Sequence, residues 1–169
     1  MIVGCGDADQ SALCESLSQE LSLSDLESLS QESSWEDMHT CAEQGNAYAQ
    51  SNLGRIYRVG IGVPNDDVEA ARWFQSASEQ GMPRALSYLG YMYMLGHGVP
   101  EDNAEGFRLW RSAAEQGYAS AQFDLAGLYG RGDVVEKDEN KAEEWVRKAA
   151  EQGHVEAQYA LGGVYRHGK

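Results

Sequence analysis

The sequence has few prolines and no long apolar run. Three prolines stand against 19 glycines in 169 residues. No stretch approaches the roughly 18 consecutive apolar residues of a transmembrane helix, so we expect no membrane span. Hydrophobic residues still make up 42% of the chain, which is enough for a core. This composition predicts one compact domain or one short repeat array.

Lysine and arginine are missing from the first 45 residues, which contain ten Asp and Glu residues. The remainder has seventeen acids against thirteen bases, so it accounts for only −4 of the formal charge of −14. Because an acidic surface repels phosphate groups, we predict that nucleic acid is not a partner. Residues 1–33, the leader, are interpreted as a solvated acidic tail, with an interaction arm as the alternative.

Cysteine is scarce, and the motifs of several enzyme classes are absent. Cys5, Cys14 and Cys41 follow neither a CxxC nor a zinc-finger spacing. The four histidines form no HxxxH pair, and no GxSxG, Walker loop or SxxK motif occurs. We therefore predict no enzyme, no metal site and no cofactor. Cys14 and Cys41 could pair in an extracytoplasmic protein, although the sequence alone does not establish the pairing.

A period of 36 residues organises the rest of the chain. Glu-Gln-Gly occurs at 43–45, 79–81, 115–117 and 151–153. The same spacing, without insertion or deletion, relates Ala49, Ala85, Ala121 and Ala157; Leu53, Leu89, Leu125 and Leu161; Tyr57, Tyr93, Tyr129 and Tyr165; and Gly60, Gly96, Gly132 and Gly168. Self-similarity of this length indicates stacked supersecondary units that bury their apolar faces against one another.

Each unit is predicted to contain two helices. The first has its alanine, leucine and tyrosine at i, i+4 and i+8, on one helical face. It stops at the following glycine, a residue that tolerates left-handed conformations. A turn with an Asx residue available as N-cap leads into the second helix. The third repeat lacks the second Gly and the Pro of this turn, so we expect a looser or differently turned loop there. Small residues at recurrent positions let neighbouring helices approach closely.

The run Ala-Gln-x-x-Leu-Gly-x-x-Tyr-x-x-Gly-x-Gly-Val-Pro at 49–64 resembles the Sel-one-like repeat family, relatives of the tetratricopeptide repeats. The resemblance implies an all-α fold, an α/α solenoid (superhelix) of 36-residue helix-turn-helix repeats. About seven repeat helices are expected in a right-handed antiparallel array. The boundaries are a half repeat at 34–45, repeats at 46–81, 82–117 and 118–153, and a partial repeat at 154–169.

The resemblance also implies a function, that of a scaffold or adaptor binding a protein or peptide on its concave face. The alternative is a self-assembling envelope protein. The chain stops at Lys169 after the first helix of repeat four, so Ala157, Leu161 and Tyr165 would lack cover and promote self-association through that end. A hydrolase is a third, less favoured possibility, since some cysteine-rich relatives are described as β-lactamases. This chain lacks the repeated cysteine pairs of those relatives.

Binding residues are expected where the repeats differ from one another. Positions 52, 55 and 59, and those 36, 72 and 108 residues later, share a face apart from the Leu/Tyr core. Residues 87–95 are apolar almost all round, which indicates either a crowded core or an adhesive patch. Arginines nearby would pair with an acidic or C-terminal carboxylate group of the ligand. The predicted partner-binding residues are Asn52, Arg55, Arg58, Tyr88, Tyr91, Met94, Asp124 and Arg131.

The leader allows two structures and two locations. Leu13, Leu17 and Leu21 fit either a marginal helix in a flexible segment or an amphipathic cap over the first repeat. Ile-Val-Gly-Cys, ending at Cys5, resembles a bacterial lipobox and would make Cys5 a lipidation site in the periplasm or cell envelope. That interpretation requires Met1 to be an internal methionine or a cropped start, because no basic and apolar segments precede it. Otherwise Cys5 is an exposed thiol, and the cytoplasm is the alternative location.

Overall fold

A computed structural model of the chain describes Cys14, residues 21–28 and residues 32–167, with the backbone alone at 32–34 and 163–167. Every regular element in these ranges is a helix, so the predicted all-α fold is confirmed. The helices are α1 Leu23–Ser28, α2 Glu32–Glu43, α3 Ala47–Val59, α4 Asp67–Glu79, α5 Pro83–Leu95, α6 Asn103–Glu115, α7 Ala119–Arg131, α8 Glu139–Glu151 and α9 Val155–His167.

The 36-residue period of the sequence is also the period of the helices. The first helices of the repeats, α3, α5, α7 and α9, all have 13 residues and start 36 positions apart. The second helices, α4, α6 and α8, also have 13 residues and the same spacing. The repeats therefore differ in their side chains and not in the length of their elements.

Each second helix begins at an aspartate that serves as its N-cap. The carboxylates of Asp66, Asp102 and Asp138 accept hydrogen bonds from backbone amides of the first turn at 3.0 Å. A cap of this kind typically stabilises a helix by about 1 kcal/mol. The same three residues close the preceding loop, since each backbone amide donates to a tyrosine carbonyl at the end of the first helix at 2.9 Å.

The loop of the third repeat is turned differently within those fixed ends. The first two loops each contain two left-handed glycines, Gly60 with Gly62 and Gly96 with Gly98. The third contains Gly132 alone, at φ 74°, and none of its other residues has a positive φ. The expected change of turn is therefore present, but the closing hydrogen bond is kept.

The glutamines of the repeated motifs connect successive helices. In the first unit Gln50 donates to the carbonyl of Ala42 at 3.0 Å, and Gln80 donates to the Gln50 side chain at 2.8 Å. In the second unit Gln122 donates to the carbonyl of Ala114 at 3.1 Å, and Gln152 donates to Gln122 at 2.7 Å. These bonds satisfy polar groups that the helix packing removes from water.

Close helix approach depends on glycine at one position of the first helix. A methyl group at Gly54 would lie 2.7 Å from the Phe74 ring, and one at Gly90 would lie 2.6 Å from the Trp110 ring. The indole of Trp110 also donates to the carbonyl of Ser87 at 2.9 Å. The expectation that small residues admit an aromatic side chain from the adjacent helix is confirmed at both sites.

The chain divides into two compact units. The first comprises residues up to Ala85 together with His97–Val99, and the second comprises Leu86–Gly96 and the residues from Pro100 onward. The core of the second unit contains the apolar side chains of α5 to α9, including Leu89, Met92, Leu109, Trp110, Leu125, Leu128 and Ala149.

The core of the first unit includes part of the leader. Leu21 and Leu26 are buried in one cluster with side chains of α2 and α3, among them Met38 and Leu53. A disulfide joins Cys14 to Cys41 of α2, so the two cysteines that could pair do so in this structure. The burial of Leu21 and Leu26 agrees with the cap interpretation for this part of the leader.

Candidate protein-binding face

The described residues contain no cluster of metal ligands. No group of three or more His, Cys, Asp or Glu side chains in the described ranges could hold a metal ion. The adjacent acids Glu143 and Glu144 pair separately with Arg147 and Lys148, each at 2.7 Å. No helix in those same ranges has both the length and the apolar character that crossing a bilayer requires.

The exposed faces of the second helices consist mainly of ion pairs within each helix. These pairs are Arg72–Glu69, Arg108–Glu105, Arg111–Glu115, Arg147–Glu143 and Lys148–Glu144. The Arg108 guanidinium, which donates to Glu105, holds the pKa of that carboxyl below its usual value. Exposed pairs of this type contribute little to stability and are typical of a solvated face. The first helices are therefore the better location for candidate binding residues.

An apolar patch is exposed on α5 within the second unit. Tyr91 is 40% exposed and Leu95 is 48% exposed, and they lie four residues apart on the same helical face. Tyr88, three residues before Tyr91, is half-buried beside them. Other apolar residues of this helix, such as Leu89 and Met92, are buried. The helix thus has both a core face and an exposed apolar face. We call Tyr88, Tyr91 and Leu95 the α5 patch.

The structure separates Met94 from the α5 patch. A methyl group added at Gly106 of α6 would lie 2.8 Å from Met94 Cγ and 3.1 Å from Met94 Cε. Met94 therefore packs on α6, where the glycine provides the space. Leu95, which shares the row of Tyr88 and Tyr91 but was not among the predicted binding residues, stands in its place on the exposed side.

The corresponding positions on α7 are polar. Arg131 is exposed, pairs with Asp133 at 3.2 Å, and its guanidinium lies over the bare backbone at Gly127. Burial raises the pKa of the Asp124 carboxyl to about 6, although the charges of His154 and Arg131 act in the opposite direction. This side of α7 therefore has a half-buried carboxyl group and an exposed cation.

The leader covers the corresponding positions on α3 in the first unit. Asn52 and Arg55 are buried, and the Arg55 guanidinium donates to the Leu21 carbonyl and to Asn52 Oδ1, the latter at 3.4 Å. Arg84 donates to the same Leu21 carbonyl at 3.4 Å. An external ligand does not reach Arg55 while Leu21 lies over it. Arg58 is half-buried, and its carbonyl accepts a hydrogen bond from Asn65.

Helix α9, the last helix of the described residues, is partly covered by α8. Ala157, which was expected to lack cover, is buried in a cluster with Ala149 and Ala150 of α8, and this corrects that expectation. Leu161 packs against the same cluster and is half-buried. Cys5 and the side chain of Tyr165 lie outside the described residues.

The 36-residue units match one family profile along most of the chain. The Sel1 repeat profile matches residues 47–82, 83–118, 119–154 and 155–169. The chain belongs to the Sel1 repeat family. Sel1 repeat proteins generally act as scaffolds for protein–protein interaction, and the Sel1 fold is typically non-catalytic.

Solved structures of bacterial proteins share this fold. A protective antigen of uropathogenic Escherichia coli is 36% identical over 80% of this chain and 29% of its own, with a TM-score of 0.72. A Sel1 repeat protein of Oxalobacter formigenes is 30% identical over 78% of this chain and 53% of its own, with a TM-score of 0.73. This Sel1 repeat chain thus spans less than two thirds of the length of either protein.

A third structure shows the same fold at lower identity. Cysteine-rich protein B of Helicobacter pylori is 15% identical over 93% of this chain and 98% of its own, with a TM-score of 0.58. The likeness extends to the fold alone. Comparison with curated protein sequences found no match.

Proposed function

We propose that this Sel1 repeat chain is a scaffold or adaptor that binds a partner protein or peptide through the α5 patch. The observation that supports this proposal most directly is the exposure of Tyr91 and Leu95 together on one face of α5. Tyrosine is enriched at protein interfaces because its rigid ring offers a large contact area and its hydroxyl group offers a hydrogen bond. The general role of Sel1 repeats in protein–protein interaction supports the same assignment.

Contrast with the neighbouring surfaces favours the α5 patch over other positions. The exposed side chains of the second helices are largely ion-paired, and such solvated charges are costly to remove from water. Burying the exposed parts of Tyr91 and Leu95 instead removes apolar surface from water at about 25 cal/mol per Å². A partner that covers α5 thus gains the most where the patch lies.

Polar residues at corresponding repeat positions would orient the partner. Asp124 stands 36 residues after Tyr88, and Arg131 stands 36 residues after Leu95. Arg131 is exposed and is suited to a carboxylate group of the partner, because the guanidinium forms bidentate bonds with carboxylates. We therefore expect a partner segment that has apolar side chains for the patch and a nearby carboxylate group.

Site-specific photo-crosslinking tests this proposal. p-Benzoylphenylalanine is placed at Tyr91 in the full chain and, as a matched control, at Tyr48 of α3, which is exposed to a similar extent at 39%. We expect a specific partner adduct from position 91 that position 48 does not form. We also expect a folded Tyr88→Ala/Tyr91→Ala variant to lose capture of the same partner. Equal adduct yields at both positions, or undiminished capture by the variant, would contradict the α5 patch.

Self-assembly is a second candidate function, and exposed apolar residues on α9 favour it. Tyr159 is 82% exposed, and Val155, one turn before it, is also exposed. Sedimentation velocity of the full chain and of Tyr159→Ser would test the idea at tens of micromolar protein. A concentration-dependent dimer that the substitution weakens supports self-assembly, and a monomer in both cases refutes it.

A further inference from the structure

The backbone carbonyl of Leu21, in the leader, accepts hydrogen bonds from two arginines. The guanidinium groups of Arg55 and Arg84 both donate to the carbonyl of Leu21, and the Leu21 side chain is buried beside them. Five residues later Leu26 is 1% exposed, in the same core cluster as Leu53 and Ile56 of α3. The leader is thus anchored on α3 by two leucine side chains and a charge-assisted main-chain contact.

The α3 residues beside the leader stand at the same positions in their repeat as the residues of the α5 patch. Arg55 precedes Tyr91 by 36 residues, and Asn52 precedes Tyr88 by 36 residues. In the second unit Tyr91 is exposed and Tyr88 is half-buried, whereas in the first unit Asn52 and Arg55 are buried and Arg55 binds the Leu21 carbonyl. A polypeptide segment is therefore already seated at this row of positions in one of the repeats.

We propose that this surface of α3 is a peptide-binding site and that residues 21–28 are its intramolecular occupant. The external ligand is an acidic protein segment with two leucines five residues apart. This inference rests on the proposed function, because it extends polypeptide binding on the first helices to the first unit.

The charge of the occupant defines the charge of the ligand. Residues 21–28 include Asp25 and Glu27 and no Lys or Arg. The Asp25 carboxylate accepts hydrogen bonds from the amide and hydroxyl groups of Ser22 at the start of α1, and these bonds lower its pKa. The segment is thus negative at neutral pH, and its Leu21 carbonyl accepts hydrogen bonds from Arg55 and Arg84. A competing segment with the same charge and leucine spacing reproduces these contacts.

The disulfide controls how strongly the internal occupant competes. Cys14 is half-exposed, Cys41 is buried in α2, and the Asn46 side chain donates to the Cys14 carbonyl at 3.1 Å. The main chain already joins residues 21–28 to α2, and the disulfide is a second link that raises the effective concentration of the occupant further. A dithiol reductant converts the disulfide into two cysteine thiols and is itself oxidised to a cyclic disulfide. Reduction therefore weakens the internal competitor and leaves the α3 surface unchanged.

Peptide binding by the full chain tests this inference. The probe is a fluorescein-labelled peptide of residues 21–28, Leu-Ser-Leu-Ser-Asp-Leu-Glu-Ser. Its anisotropy is titrated with the oxidised chain, the dithiothreitol-reduced chain and the Cys14→Ser/Cys41→Ser variant, all in a Cys5→Ser background. We expect the reduced chain and the serine variant to bind at least about tenfold more tightly than the oxidised chain. A control peptide with serine in place of the leucines at positions 21 and 26 should not bind, and Arg84→Gln should weaken binding of the probe.

Several results would overturn the inference. Equal peptide affinity in all three forms, or none in any, would make residues 21–28 a permanent cap. Loss of helical circular dichroism on reduction would also overturn it, because the leader would then be an indispensable part of the core. The proposed function is judged separately by crosslinking at Tyr91. An adduct there without peptide binding refutes only the α3 site, and peptide binding without that adduct refutes only the α5 patch.

Discussion

The two units of this chain use the same row of repeat positions in opposite ways. In the first unit, Asn52 and Arg55 are buried under the leader, and an arginine binds a main-chain carbonyl. In the second unit, the corresponding Tyr88 is half-buried and Tyr91 is 40% exposed. The helical scaffold is alike in both, so the difference lies in the side chains and in what covers them.

This comparison shows how a repeat array separates stability from recognition. The positions that recur, such as the N-cap aspartates, make the same hydrogen bonds in each repeat. The positions that vary do not make these recurrent hydrogen bonds, and the period of the backbone does not depend on them. A face that varies can therefore be covered by the chain itself in one repeat and left to a partner in another.

Packing between paired helices differs within the second unit as well. In the second repeat Met94 packs on Gly106, a large side chain against a small one. At the same positions in the third repeat Gly130 faces Ala142, and two small residues leave space between the helices. A surface pocket of about 390 Å³ lies there, lined by Gly130, Ala142, Val146 and Leu161 together with charged side chains such as Glu143. Met94 thus requires glycine at position 106, whereas Gly130 has space beside it.

The largest effect is expected from removing the leader's contact with the first unit. Leu26→Ala deletes a buried side chain and should lower the free energy of unfolding by about 2–4 kcal/mol. Leu23→Ala, in the same helix α1 but at an exposed position, should change it by less than about 0.5 kcal/mol. Urea denaturation of both variants measures the difference. Similar losses in the two variants would show that Leu26 does not hold the leader in place.

A somewhat smaller loss is expected where glycine admits an aromatic ring. Gly90→Ala places a methyl group 2.6 Å from Trp110 and should destabilise the chain by about 1–3 kcal/mol. In a Trp110→Val background, which restores the Ala126/Val146 pair of the third repeat, the same change should be neutral or stabilising. A thermal double-mutant cycle reports the coupling. An additive result would contradict the steric explanation.

Through Asp124, the free energy of unfolding should depend on pH by roughly 1 kcal/mol or more, since a single pKa unit corresponds to about 1.4 kcal/mol. Burial raises the pKa of this carboxyl from 3.8 to about 6, so the folded state holds the proton more tightly than the unfolded state. The ionised group therefore destabilises the fold above pH 6, and this penalty disappears as the pH falls towards 4.

Asp124→Asn should accordingly raise the melting temperature at pH 7.5 and leave it nearly unchanged at pH 4. Asp133→Asn, at an exposed position in the same unit, is the control. Melting curves of the wild type and the two variants across this range give the differences directly. A stabilisation of Asp124→Asn that is the same at both pH values would refute burial of the charge as its cause.

The smallest effect is a gain at Gly130. A methyl group added there would lie 3.9 Å from the Ala142 side chain, an ordinary contact distance. Gly130→Ala should stabilise α7 by about 0.5–1 kcal/mol, because glycine loses more backbone entropy in a helix than alanine does. The opposite signs of Gly130→Ala and Gly90→Ala in thermal melts would confirm the contrast between the two glycines. Destabilisation by both substitutions would contradict the contrast between the two glycines.

The repeat scaffold is the part of the structure that the sequence predicts well. The period locates both helices of every unit, and the Asp and Gly residues at their ends have local roles that do not depend on the rest of the fold. The docking of the leader is harder to predict, because neither Leu21 nor Leu26 follows the repeat period and Leu26 departs from the helical spacing of Leu13, Leu17 and Leu21. From the sequence, Arg55 is predicted to be exposed, because its partner is a backbone carbonyl and no side-chain pattern indicates it.

The candidate site shows the same limit at the level of single residues. Met94 and Leu95 are three and four positions after Tyr91, so helical spacing alone places both beside it. The residue that separates them is Gly106, which makes room for Met94 on another helix. A glycine in place of a larger residue on the second helix is the sequence signal that could have identified Met94 as a packing residue.

Hydroxyl-radical footprinting of the full chain tests the contrast between the units most directly. The oxidised protein is compared with the Cys14→Ser/Cys41→Ser variant, and side-chain oxidation is quantified by mass spectrometry. We predict rapid modification of Tyr91 and Leu95 in both proteins, and modification of Leu21 and Leu26 only in the variant. Rapid modification of Leu26 in the oxidised chain, or protection of Tyr91 in either protein, would contradict the account of one face covered by its own leader and one left open.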